Sequence, residues 1–120
     1  MKVLIVDDEA SYLRLLSMLL TAAGHEVHTA SDAAACLDVA ARIHPSVVVL
    51  DRMLGDRVKG EDLIETLRSQ GLRFQAILMS GYPQWEAGSA DTGVFGYLSK
   101  PFEPEELRRV VEEAGKREMD

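Results

Sequence analysis

The sequence holds one cysteine among 120 residues, so no internal disulfide can form. Cys36 lies in an apolar stretch, residues 33–43, where a free thiol packs as a small hydrophobe, and a reducing compartment fits that usage. An export signal is also missing. The N-terminal apolar run is only VLIV before two acids, against about 7–15 residues in a secretory leader. The expectation is a cytoplasmic chain that nothing exports or anchors to a membrane. Basic charge is scarce: a net charge of −7 disfavours nucleic acid, because binding a phosphate backbone rests on Lys and Arg displacing condensed counterions. No GxxxxGK or GxGxxG loop occurs, which removes the common nucleotide-binding fingerprints. His25, His28 and His44 form no HExxH or Cys-His pattern, so zinc is disfavoured and the three read as surface or loop residues. There is no internal repeat, low-complexity tract or linker.

What is present is a patterned globular sequence. Hydrophobic residues make up 47% and charged residues 28%, too apolar for a disordered chain, and the length suits one domain over residues 1–120. Short β-rich apolar runs occur at 2–6, 26–30, 46–50, 74–79 and 95–98. VLIV and VVVL show no period of two, which suits strands covered on both faces, as in a parallel sheet. Helical spacing fills the intervals. Leu13, Leu16, Leu20 and Ala23 mark the first helix; Leu37, Ala40 and Ala41 the second; Leu63, Ile64 and Leu67 the third. Leu107, Val110, Val111 and Ala114 mark the last. Gly24 and Gly71 stand where helices should stop, and Pro104 stands at a favoured first helical position. The polar tail 115–120 reads as a fraying end. Strict alternation of strand and helix predicts an α/β fold with a doubly wound sheet, whose ligands bind beyond the carboxyl ends of the strands.

That edge collects polar groups. Asp7 and Asp8 follow the first strand, Asp51 and Ser80 end the third and fourth, and Lys100 follows the fifth. Singly each is weak, since an acid after a strand is most often a solvated loop residue or a helix cap. Together they place three carboxylates where mutual repulsion must be relieved by protonation or by cations. An acidic pair beside a third acid suits Mg²⁺, which takes oxygen ligands and keeps open positions for water and phosphate oxygens. With such an ion, Asp51 is the best candidate to attack a phosphoryl group, with Lys100 neutralising charge on the transferring oxygens.

Four segments sharpen this reading: VLIVDDE at 3–9, VVVLD at 47–51, LMSGY at 78–82 and YLSKPF at 97–102. In this order, on this pattern, the chain closely resembles the receiver domains of two-component response regulators along essentially its whole length. The resemblance implies a five-stranded parallel sheet of flavodoxin-like order 2-1-3-4-5 with helices on both faces. Asp51 matches the phosphorylated aspartate, Asp7 and Asp8 the acidic metal pair, and Lys100 the phosphate-binding lysine. Ser80 resembles the hydroxyl residue that hydrogen-bonds the phosphoryl group, and Tyr97 the aromatic that moves with it. Met53 is expected to offer Mg²⁺ its backbone carbonyl, and the bond before Pro101 to be cis. The implied partner is a sensor histidine kinase or a histidine phosphotransfer protein, with no nucleic acid and no membrane; a homodimer is admitted. The implied role is a phosphoacceptor that assists its own phosphorylation and dephosphorylation rather than an enzyme.

Two departures stand out. Leu54 is followed by Gly55 where the family often has Pro, and Gly60 stands nine residues after Asp51 rather than eight, which predicts a longer, more mobile loop over 52–59. Pro83, Gly88 and Gly93 interrupt the stretch after Ser80 and argue against a well-formed fourth helix. Competing readings are weaker. An aspartyl phosphohydrolase of DxDx(T/V) type needs a second acid where Met53 stands, and thioether sulfur transfers no proton. A flavodoxin-like cofactor binder needs a phosphate loop where DDEAS would repel phosphate. An unphosphorylated adaptor has no need of all five site residues. The output, and whether the chain is free-standing or part of a longer regulator, are not encoded in these residues.

Overall fold

The apolar runs at 2–6, 47–51 and 75–80 form strands buried on both faces. The computed structural model describes residues 1–55, 58–81 and 93–116. In chain order these are β1 (Lys2–Val6), α1 (Ala10–Ala22), β2 (Glu26–Ala30), α2 (Ala33–Ile43), β3 (Val47–Asp51), β4 (Met53–Leu54), β5 (Val58–Lys59), α3 (Gly60–Ser69), β6 (Gln75–Ser80), β7 (Gly96–Ser99) and α4 (Pro104–Gly115). Five strands pair in parallel in the order β2-β1-β3-β6-β7. This is the flavodoxin-like order expected from the resemblance.

Alternate strand residues feed two cores. Leu4, Val6, Val48, Leu50, Ala76 and Leu78 pack under α2 and α3, and Val3, Ile5, Val47, Val49, Ile77 and Met79 pack under α1 and α4. The helices meet them with the stripes read from the sequence: Leu13, Leu16 and Leu20 of α1 are buried, as are Leu107, Val111 and Ala114 of α4. Each fully buried aliphatic side chain contributes about 1.5–3 kcal/mol, so the strand ends sit on a stiff platform.

Helix boundaries follow local chemistry. Asp32 caps α2, its carboxylate accepting from the Ala35 N–H at 2.7 Å, a cap the periodicity did not reveal. Gly24 and Gly71 have φ of 96° and 88° after α1 and α3, the left-handed turn glycine makes easily. Pro104 opens α4, and the Lys100–Pro101 bond is cis.

Two expectations change. The segment 52–59 is not a plain loop: Met53 pairs with Lys59 and Leu54 with Val58 in a small antiparallel ribbon, which lets Leu54 reach the core. His25 lies in a loop as expected, but its ring is packed rather than solvated. Its side chain is 10% exposed, with Nε2 3.5 Å from Glu112 Oε2, because the α1–β2 turn folds against α4. The question of a fourth helix falls on residues 82–92, which lie outside the described residues, as does the end of the tail, 117–120.

Candidate functional site

Asp7, Asp8 and Asp51 leave the ends of adjacent strands β1 and β3, so sheet pairing alone brings them together. One carboxylate oxygen from each lies within 4.8 Å of the others. Asp7 is fully buried. Its Oδ1 accepts from the Glu9 N–H at 3.0 Å, and its Oδ2 receives Lys100 Nζ at 2.7 Å. Asp8 is exposed and accepts from the Gly55 N–H at 3.0 Å, which ties the loop after β1 to the ribbon after β3. Lys100 also reaches Asp51 Oδ2 at 3.3 Å.

Three acids against one ammonium leave the cluster short of positive charge, and every donor is a hard oxygen. That is the composition a hard divalent cation requires, with room for a phosphate oxygen among its ligands. The group could therefore hold a metal ion. Electrostatics agree with the crowding. Burial raises the Asp51 pKa above the ordinary aspartate range; the Lys100 charge opposes this and the Asp7 charge adds to it. Burial alone would weaken the Lys100 ammonium, but its hydrogen bond and charge contact with Asp7, joined by Asp51, outweigh that and raise its pKa. Lys100 is thus held charged.

The remaining predicted residues divide. Ser80 is buried at the end of β6, one residue past Met79, the register partner of Asp51, and its carbonyl accepts from the Lys100 N–H at 2.6 Å. Met53 begins the ribbon with its side chain exposed, and its N–H reaches Asp51 Oδ1 at 3.4 Å. Tyr97 is not at the acidic cluster. It sits half-buried in β7 opposite Leu78, packed on the core beneath α2 and α3.

Two features carry more than sequence reasoning assigned them. Gly60 starts α3 where the chain passes hard against β3: a Cβ there would lie 2.8 Å from the Asp51 carbonyl oxygen and 2.8 Å from Leu78 Cδ2. Its N–H donates to the Arg52 carbonyl at 2.6 Å, so the ribbon closes directly onto the strand that carries Asp51. Tyr12 was missed altogether. Lys100 Nζ lies over its ring, 4.4 Å from the centroid, and Phe102 meets the same ring edge-on, with centroids 6.0 Å apart at 75°. Burial raises the Tyr12 pKa, with the Lys100 charge opposing and Asp7, Asp51 and Glu9 adding. Its spacing gave no signal: Tyr12 reads as one more position on α1.

This fold and site define a class of protein, and comparison with known proteins agrees. The family model described as "Response regulator receiver domain" matches residues 3–112. The regulatory protein AtoC of Escherichia coli is 35% identical over 115 residues, covering 94% of this chain and 25% of that protein. The alkaline phosphatase synthesis transcriptional regulatory protein PhoP of Bacillus subtilis is 34% identical over 112 residues, covering 92% of this chain and 46% of that one. Among solved structures, a response regulator receiver domain protein from Clostridium thermocellum superposes with a TM-score of 0.87 at 26% identity, covering 97% and 94% of the two chains. The chemotaxis response regulator CheY4 of Vibrio cholerae superposes with a TM-score of 0.83 at 28% identity, covering 94% and 97%.

The chain belongs to the receiver-domain family of two-component response regulators. Its role is that of a receiver module in two-component phosphorelay signalling. It spans only about a quarter to a half of the length of the curated relatives it matches. No helix among the described residues is long and apolar enough to cross a membrane.

Proposed function

We propose that Asp51 is the phosphoacceptor and that Asp7, Asp8, Asp51 and the Met53 carbonyl hold Mg²⁺ beside it, within one receiver domain over residues 1–120. The observation that carries this is the Lys100 ammonium lying between Asp7 and Asp51 inside the oxygen cluster. Mg²⁺, when bound, would supply positive charge that neutralises the transferring phosphoryl oxygens. Asp51 donates the oxygen that forms the new P–O bond as the P–N bond to a phosphohistidine breaks, leaving the donor imidazole to take up a proton. Lys100, held charged within 3.3 Å of Asp51, pairs with a phosphoryl oxygen as a compact point charge. Ser80 donates a hydrogen bond to the same group, and Tyr97 on β7 turns inward as Ser80 is drawn toward it.

The same residues assist hydrolysis of the acyl phosphate, so the domain governs its own phosphorylation and dephosphorylation. The donor is a sensor histidine kinase or a histidine phosphotransfer protein, and the setting is cytoplasmic. No nucleic-acid role is assigned to a domain of charge −7, and a homodimer is one way of passing the signal on. The test uses acetyl phosphate with Mg²⁺, followed by intact mass. The parent should gain one phosphoryl group and Asp51→Asn none, with loss of the gain on chelation. Full phosphorylation of Asp51→Asn would overturn the assignment.

A further inference from the structure

We propose that Tyr12 is a positioning residue for Lys100, its ring face holding the ammonium where a phosphoryl group on Asp51 would meet it. The inference rests on the reading of Asp51 and Lys100 given above. A lysine ammonium sits on a stem of four flexible carbons and is pulled by whichever anion is nearest. Here that anion is buried Asp7, at 2.7 Å against 3.3 Å for Asp51. A lysine drawn wholly to Asp7 would leave the phosphoryl oxygens unneutralised. The third contact is the Tyr12 ring, whose centroid lies 4.4 Å from Nζ, well inside the range of about 6 Å over which an aromatic face attracts a cation.

The ring is itself fixed. Phe102 abuts it edge-on, a geometry that aromatic quadrupoles favour, and both rings rest on the core beneath α1 and α4. Two carboxylates and one aromatic face therefore set the ammonium from three contacts. The hydroxyl of Tyr12 has no part in this. The requirement is for an aromatic face, which phenylalanine also presents.

The experiment compares Tyr12→Leu and Tyr12→Phe, each in the parent and in a Lys100→Met background, by the rate of phosphoryl uptake from acetyl phosphate with Mg²⁺. Loss of the ring should slow the parent roughly 3- to 10-fold, the range a partly desolvated cation–π contact supports. Tyr12→Phe should recover most of that rate. In the Lys100→Met background Tyr12→Leu should slow uptake no further, because a residue that acts through Lys100 has nothing left to position. Equal slowing in both backgrounds, or Tyr12→Phe as slow as Tyr12→Leu, would overturn the proposal. An NMR measurement on the unphosphorylated, metal-free protein needs no phosphoryl chemistry. The Lys100 side-chain methylene protons should be shifted upfield by the ring current, and should lose that shift in Tyr12→Leu but not in Tyr12→Phe. Absence of the shift in the parent rejects the contact itself. Failure of the parent to take up phosphate with the shift present rejects the reading of Asp51 instead.

Discussion

Replacing Asp51 by Asn should make the metal-free protein more stable, although it removes one of the two carboxylate partners of Lys100. At an effective dielectric of about 20, two unit charges at the 4.8 Å limit of the cluster repel by about 3.5 kcal/mol, and an ion pair at 3.3 Å attracts by about 5 kcal/mol. Asp51 faces two acids and one ammonium, and solvent screening discounts the repulsion from exposed Asp8, so the charge contacts nearly offset one another and burial of the side chain sets the cost of ionising it. A gain of about 1–2 kcal/mol in the Asn variant corresponds to a Tm higher by about 4–10 °C for a domain of this size. The pH dependence follows from the raised Asp51 pKa. A carboxyl whose folded-state pKa is raised contributes stability below its unfolded value, 3.8, and loses it as pH rises through the higher folded value. The variant and parent should therefore converge below about pH 4 and separate above it, up to a constant difference at neutral pH. Mg²⁺ must shrink or reverse the difference, because it stabilises the parent through a ligand the variant lacks. Thermal unfolding followed by circular dichroism from pH 3 to pH 8, with chelator and with Mg²⁺, measures all of this. A lower Tm for Asp51→Asn in chelator at pH 7, or a difference that Mg²⁺ leaves untouched, would refute the argument.

Gly60→Ala should cost about 1–3 kcal/mol, since the new methyl would meet the backbone carbonyl of Asp51, which cannot turn away, as well as the Leu78 side chain. Because it displaces the strand end, phosphoryl uptake should fall with Tm; a stable, fully active Gly60→Ala protein would contradict the close approach. Asp32→Ala removes a helix cap at an exposed site far along the chain from the acids. Denaturant unfolding should show a loss of about 1 kcal/mol with the rate of phosphoryl uptake unchanged, and no loss of stability would mean the cap is not formed in solution.

How much of this was legible beforehand differs from element to element. Runs such as VLIV and VVVL, uniformly apolar because both faces of a parallel strand are covered, announced the sheet, and the 3.6-residue stripes of α1 and α4 announced the helices that cover it. Asp7, Asp8, Asp51, Ser80 and Lys100 could be named because each lies within two residues of a strand end, and in a wound sheet those ends share one edge. Local chemistry suffices for such things: period, punctuation and position relative to a strand are all written along the chain. The contacts that set the site's properties are not. That Asp7 is fully buried while its neighbour Asp8 is exposed depends on which way each leaves β1, and only the packed layers decide it. Met53 and Leu54 read as loop because a two-residue ribbon carries no period, and their pairing with Val58 and Lys59 is seen only in the structure. Tyr12, 88 residues from Lys100 in sequence, reads as one more position on α1. Its ring lies under the ammonium because β1 and β7, though separated in the sheet by β3 and β6, send their loops to the same edge, and that proximity is a property of the tertiary fold alone.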